Sequence, residues 1–248
     1  MAGKQSGLGD NLYVAGYDLS GDVGSLEKIS GGPAALEVTG IDKSAFERIG
    51  GPRDGMVDFT SFFNPSTDRA HDRLSTLPTT DVIVSYLRGT TLGNPAASLV
   101  AKQLNYDGAR NDDGSFKFKV TAAANGYGLE WGRNLTAGKR TDTSAGNGTG
   151  VDGAASSSFG LQAYLHVFAF TGTSVTVKLQ ESSDDGAGDA YADVTGGAFT
   201  AATGITSQRI ATASNLTVER YLRVTTTGTF SNAIFAVVVV RNEVAVSF

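Results

Sequence analysis

Residues Ser115–Ala123 read SFKFKVTAA, so that Phe116, Phe118 and Val120 fall on one side of an extended chain and Lys117, Lys119 and Thr121 on the other. A period of two is the pattern of a half-buried β-strand, and a helix would scatter these side chains around its axis. Asp112-Asp113-Gly114 supply turn chemistry just before it. The same reading predicts extended segments at Leu12–Ser20, Ser25–Ser30, Ala34–Thr39, Met56–Phe63, Asp81–Arg88 and Ala97–Tyr106. Beyond residue 158 it predicts Phe159–Phe170, Ser174–Gln180, Ile205–Ala211, Val218–Thr227, Ala233–Arg241 and a closing strand at Val244–Phe248. Two short helices are expected. One begins at Asp42 or Ser44 and runs to Arg48, with Glu47 in the capping-box position after Ser44, and Gly50-Gly51-Pro52 ends it. The other is Ala70–Leu77. No repeat of fixed period is present.

Between Thr136 and Ser158 large apolar residues nearly vanish in favour of Gly, Ser, Thr, Ala and Asn. Residues 146–158 are therefore expected to form a flexible linker, dividing a first domain, 1–145, from a second, 159–248, read as an antiparallel β-sandwich. With 40% hydrophobic and 18% charged residues, the chain has enough apolar surface to offset the entropy of ordering it.

Several chemistries lack the residues they need. There is no cysteine, which removes disulfides, thiolate nucleophiles and the commonest zinc ligands. Net charge is −5 with no Lys/Arg cluster, which argues against tight binding to a phosphate backbone. The longest apolar run, Ala233–Val240, is too short to cross a bilayer as a helix, and no signal or transit peptide is evident after Met1, so a membrane partner is not expected. Gly148-Thr-Gly-Val-Asp-Gly153 fits G-x-G-x-x-G, but neither follows a strand nor opens a helix. Asp184, Asp185 and Asp189 lack the EF-hand spacing and read more simply as a solvated loop. His71 and His166 are the only histidines, and each reads as structural. Trp131, with Tyr127, Tyr13 and Tyr17, offers stacking surface for sugars or bases, with packing the plainer account. No catalytic, cofactor or metal residue is assigned.

RDGMVDFTSFFN (Arg53–Asn64), LPTTDVIVSYLRGTTLGNPAASLVAKQLNY (Leu77–Tyr106) and GSFKFKVTAAANGYGLEWG (Gly114–Gly132) resemble the major tail tube proteins of long-tailed bacteriophages infecting actinobacteria. VTVKLQESSDDG (Val175–Gly186) and RYLRVTTTGTF (Arg220–Phe230) resemble the β-sandwich half of the same proteins. The resemblance implies a mainly β chain: a tail-tube-type antiparallel β-sandwich or barrel with one or two short helices, followed by a second antiparallel β-sandwich. It implies homo-hexameric rings that stack into a tube, through which DNA passes without specific binding. Tape-measure, tail terminator and baseplate proteins are the implied partners, and the virion tail, after assembly in the host cytoplasm, is the implied location. A head decoration or baseplate component and a carbohydrate-binding module are the alternatives. Within Ile41–Gly55, Phe46, Arg48, Arg53 and Asp54 are the expected contacts to a neighbouring protomer or ring.

Overall fold

The structure, a computed structural model, describes residues 3–245. Its elements in chain order begin with β1 (Asn11–Val14), β2 (Tyr17–Asp18), β3 (Val23–Glu37), β4 (Arg48–Phe62), α1 (Ala70–Leu74), β5 (Val82–Leu87), β6 (Pro95–Gln103), β7 (Asp107–Arg110) and β8 (Phe116–Ala124). They continue with β9 (Glu130–Asn134), β10 (Arg140–Asp142), β11 (Gly146–Asn147), β12 (Val151–Asp152), β13 (Leu161–Ser182), β14 (Ala192–Ala198), β15 (Thr206–Ala211) and β16 (Tyr221–Arg241). Every register-defined strand pair among the described residues is antiparallel. The chain is mainly β, as its alternating pattern predicts.

Two compact units divide the chain otherwise than by sequence halves. The first gathers the chain up to Gly21, Ile83–Ser98 and the chain from Trp131 onward; the second is Asp22–Val82 with Leu99–Glu130. The expected linker at 146–158 lies inside the first unit as β11 and β12, which pair with Thr225–Thr226 and Tyr221–Leu222 of β16. Small polar residues suffice there, because the pairing uses backbone groups. The strand expected at Val244–Phe248 reaches residues 246–248, which lie outside the described residues.

The first unit is built on β13 and β16, which run antiparallel from Leu161 against Arg241 to Ser182 against Tyr221. Four strands expected from the sequence are thus two long, bent ones. The bend falls where the register slips, around Val167–Ala169 and Thr171–Ser174, and bulges of this kind re-aim a strand. Gly172 sits there at φ 151°, and a Cβ on it would lie 2.5 Å from Phe230 Cα. Gly228, at φ 125°, faces the Ser174 carbonyl in the same way. β15 pairs with the first half of β13 and β14 with the second. Leu161, Leu165, Val175, Leu179, Phe235 and Val237 then meet in one core. The opposite face of β13 is buried too, with Tyr13 edge-on to Phe168 and His166.

In the second unit β4 lies between β3 and β8, and β8 pairs with β7 and the end of β6. Val57, Phe59 and Ser61 of β4 are buried, alternating with half-buried Asp58 and Thr60. The buried Asp22 carboxylate accepts from Asn64 Nδ2 (2.8 Å), Arg69 Nη2 (3.0 Å) and the backbone N–H of Ala70 (3.1 Å), which supplies the cap that Arg69 cannot give α1. The helix is shorter than expected and ends at Leu74, whose carbonyl is taken by Gln103 Nε2 at 2.7 Å.

Candidate functional site

β3 and β4 are each 15 residues long, yet β8 covers β4 only from Met56 to Phe62. The distal part, Gly31–Glu37 against Arg48–Gly55, is a two-stranded ribbon with no third strand among the described residues. Its base is pinned where Gly31 and Gly55 pair across the strands beside Leu129. A Cβ on Gly31 would stand 2.6 Å from Leu129 Cβ, and one on Gly55 2.5 Å from the Leu129 nitrogen. Only glycine permits that approach.

The ribbon has two unlike faces. Leu36 and Ile49 are register partners, 44% and 55% exposed, and so project on the same side. Val38, two residues beyond Leu36, extends this apolar stripe and is itself exposed. The next pair, Glu37 with Arg48, projects on the other face and sets opposite charges across the strands.

The tip, residues 38–47, forms turns where a short helix is expected. Its Ser44–Glu47 spacing matches a capping box, but the Val38 N–H donates to the Glu47 carbonyl (3.0 Å) and the Glu47 N–H to Thr39 Oγ1 (3.0 Å). Those bonds close a loop. Phe46 is 66% exposed and lies 5.0 Å from the Arg48 guanidinium, while Ile41 is fully exposed.

All four residues singled out from the sequence lie on this hairpin: Phe46 in the tip, Arg48 at the start of β4, and Arg53 and Asp54 near its base. Arg53 is exposed, with no ion-pair partner among the described residues, and its side chain passes over Gly128. Asp54 accepts from the Gly55 N–H at 2.7 Å, and its carbonyl from the Leu129 N–H at 3.4 Å. Leu36, Val38 and Ile49 are additions from the structure. The alternation of Leu36 and Val38 with Glu37 and Thr39 was their sequence signal.

A second aromatic cluster gathers Phe63, His71, Tyr106, Phe116 and Phe118, with Phe63 and Phe116 exposed at its edge and Phe118 buried. Tyr106 stacks on Phe118 at 4.2 Å and its hydroxyl lies 3.2 Å from His71 Nδ1. Burial pushes the Tyr106 phenol up to about 12. Phe62, on the other side of the strand, lies 5.5 Å from Lys117 Nζ.

The remaining motifs are occupied by their own fold. Gly148 and Gly153 donate their backbone N–H groups to Val224 and Arg220 at 2.7 and 2.8 Å, so these amides hold a sheet edge instead of cradling a phosphate. The Asp184 carboxylate accepts from the N–H groups of Ala187, Gly188 and Asp189, Asp189 foremost in holding it below the usual carboxylate range. Among the described residues no group of three His, Cys, Asp or Glu is placed to hold a metal ion.

No family model matches the chain and no curated protein matches its sequence. Solved structures similar to it are parts of virions, tails and a phage adsorption hub. A chain from the virion of the native gene transfer agent particle has 14% identity and a TM-score of 0.41, over 52% of this chain and 98% of that one. A chain from the C6-symmetric tail of the empty particle has 16% identity and 0.40, over 51% and 97%. The SPP1 Dit protein has 14% identity and 0.32, over 94% and 99%.

Proposed function

We propose that this chain is a structural protein of a phage tail, polymerising as stacked hexameric rings into the tube through which DNA is ejected. The observation that carries the reading is the hairpin: a ribbon with an uncovered apolar stripe of Leu36, Val38 and Ile49. Two strands alone are marginal in water, and exposed apolar stripes are found where another surface will cover them. A neighbouring copy supplies that surface at every step of a polymer. The resemblance of Arg53–Asn64, Leu77–Tyr106 and Gly114–Gly132 to major tail tube proteins names the polymer.

Contacts between the hairpin and a different patch on the next copy are head-to-tail, and closure of the rotation makes rings rather than fibres. A net charge of −5 without basic clusters suits a lumen that lets phosphates pass. Tape-measure protein inside, a terminator at one end and a baseplate at the other complete the tail, and the virion is where the protein ends up.

Negative-stain electron microscopy of the purified protein across a concentration series tests this, with uniform hollow rods expected. Arg53→Glu should abolish or shorten the rods while circular dichroism and monomer melting stay unchanged. Rods of normal length from that variant would remove Arg53 from the interface, and a wild-type protein that stays monomeric throughout would remove the reading.

A further inference from the structure

The first unit holds a cleft of about 290 Å³. That is close to the lower end of small-ligand pockets, roughly 300 Å³. Leu135, Leu222 and Val239 form its floor and belong to the hydrophobic core, so its depth is apolar. Trp131 stands at the rim, 53% exposed.

Three guanidinium groups also line the cleft, and two are neutralised at home. Arg220 grips the Asp152 carboxylate at 2.7 and 2.6 Å. Arg241 is held by Glu243 at 3.0 Å and by the Gly153 carbonyl at 2.6 Å. Arg133 donates only to the Asp152 carbonyl, at 3.2 Å, and has no carboxylate partner among the described residues. The cleft thus offers an apolar seat beside an unneutralised cation. An apolar side chain next to a carboxylate fits it.

The hairpin tip presents that pair twice, as Phe46-Glu47 and Ile41-Asp42. Phe46 carries the larger apolar surface, and its neighbour Glu47 is held only loosely, 4.0 Å from Lys43. We propose that the tip of one copy seats Phe46 in the Trp131 cleft of a second copy, with Glu47 facing Arg133. This rests on the assembly reading and supplies the patch that receives the hairpin. Tip and cleft are different surfaces of one chain, so the contact repeats from copy to copy without using itself up. A sugar is the poorer occupant, because Glu243, the lining carboxylate that would accept its hydroxyls, is engaged by Arg241.

The absence of native cysteine makes a direct test possible. Phe46→Cys and Trp131→Cys are made in separate chains; both positions are exposed, so folding is retained and is checked by melting. Mixed and oxidised, the two should give covalent heterodimers on a denaturing gel, and neither alone should give homodimers. A Trp131→Ala chain should need a roughly 30-fold higher concentration to assemble, the scale of losing an aromatic hot spot. Glu47→Arg and Arg133→Glu should each impair assembly and restore it when combined in one chain. If the wild type forms rods but the cysteine pair yields no heterodimer and Trp131→Ala assembles normally, the hairpin docks elsewhere and the proposal falls while the assembly reading stands. A wild type that never assembles removes both.

Discussion

His166 should make the first unit acid-sensitive well above the carboxylate range. Its ring is fully buried on β13, where Nδ1 accepts from the Gly16 N–H at 3.2 Å, which leaves the proton on Nε2. Nε2 donates to Ser85 Oγ at 2.9 Å, and the Ser85 hydroxyl is then free to donate to Ser98 Oγ at 2.7 Å. A proton added to Nδ1 would face a donor. Burial lowers the pKa from 6.5 to about 3. Above pH 6.5 neither folded nor unfolded chain carries the proton, and pH has no leverage. Between 6.5 and 3 the unfolded chain binds a proton that the native chain refuses, so stability falls as pH falls, by about 1.4 kcal/mol per unit. From pH 7.5 to pH 5 the loss is then about 2 kcal/mol. His166→Gln removes the titration; at neutral pH it costs roughly 1–3 kcal/mol for the disturbed network. Urea unfolding of both proteins at pH 7.5 and pH 5, followed by tryptophan fluorescence and circular dichroism, gives the double difference. The reasoning fails if wild type and His166→Gln lose equal stability over that interval.

Gly228→Ala places a methyl at φ 125° against the Ser174 carbonyl and should lower stability by at least about 2 kcal/mol, read as a drop in melting temperature. A chain ending at Gly146 loses β13 and β16, and with them the β16 partner of both β9 and β10. It should be insoluble or lack a cooperative melt, and a soluble, folded product would contradict the division into units. Amide hydrogen exchange at Leu36 and Ile49 should be fast in the monomer, where among the described residues no third strand flanks the ribbon, and slowed at least tenfold in assembled rods.

The fold class was legible because alternation marks strands wherever one face is buried, as at Phe116–Val120. Continuity was not. Gly172 and Gly228 look like breaks in a sequence, and in space they are the places where two strands bend without ending. Whether a glycine stops a strand or bends it depends on the partner that runs alongside, and the residues of β13 and β16 that pair there, such as Gly172 with Phe230, lie far apart in the sequence, a separation no local pattern spans. The misread linker has a related cause: Gly146–Asp152 pairs through its backbone, which leaves no side-chain signature.

The candidate site was legible in part, and for a physical reason. Arg53 and Asp54 stood inside a segment with family resemblance, and Phe46 and Arg48 near it. Leu36 and Ile49 become one surface only through a register that sets them opposite each other, 13 residues apart in the chain. A strand with alternating Leu36, Glu37, Val38 and Thr39 announces a buried face, and among the described residues nothing covers it fully: Leu36 and Val38 stay 44% and 50% exposed. That mismatch between pattern and burial is the informative signal. A core residue is explained by its own fold; a stripe patterned for burial and left in solvent points to a surface outside the chain. The charged tip residues Asp42, Lys43 and Glu47 fit the same account, since they keep the free ribbon hydrated until a neighbour covers its apolar face.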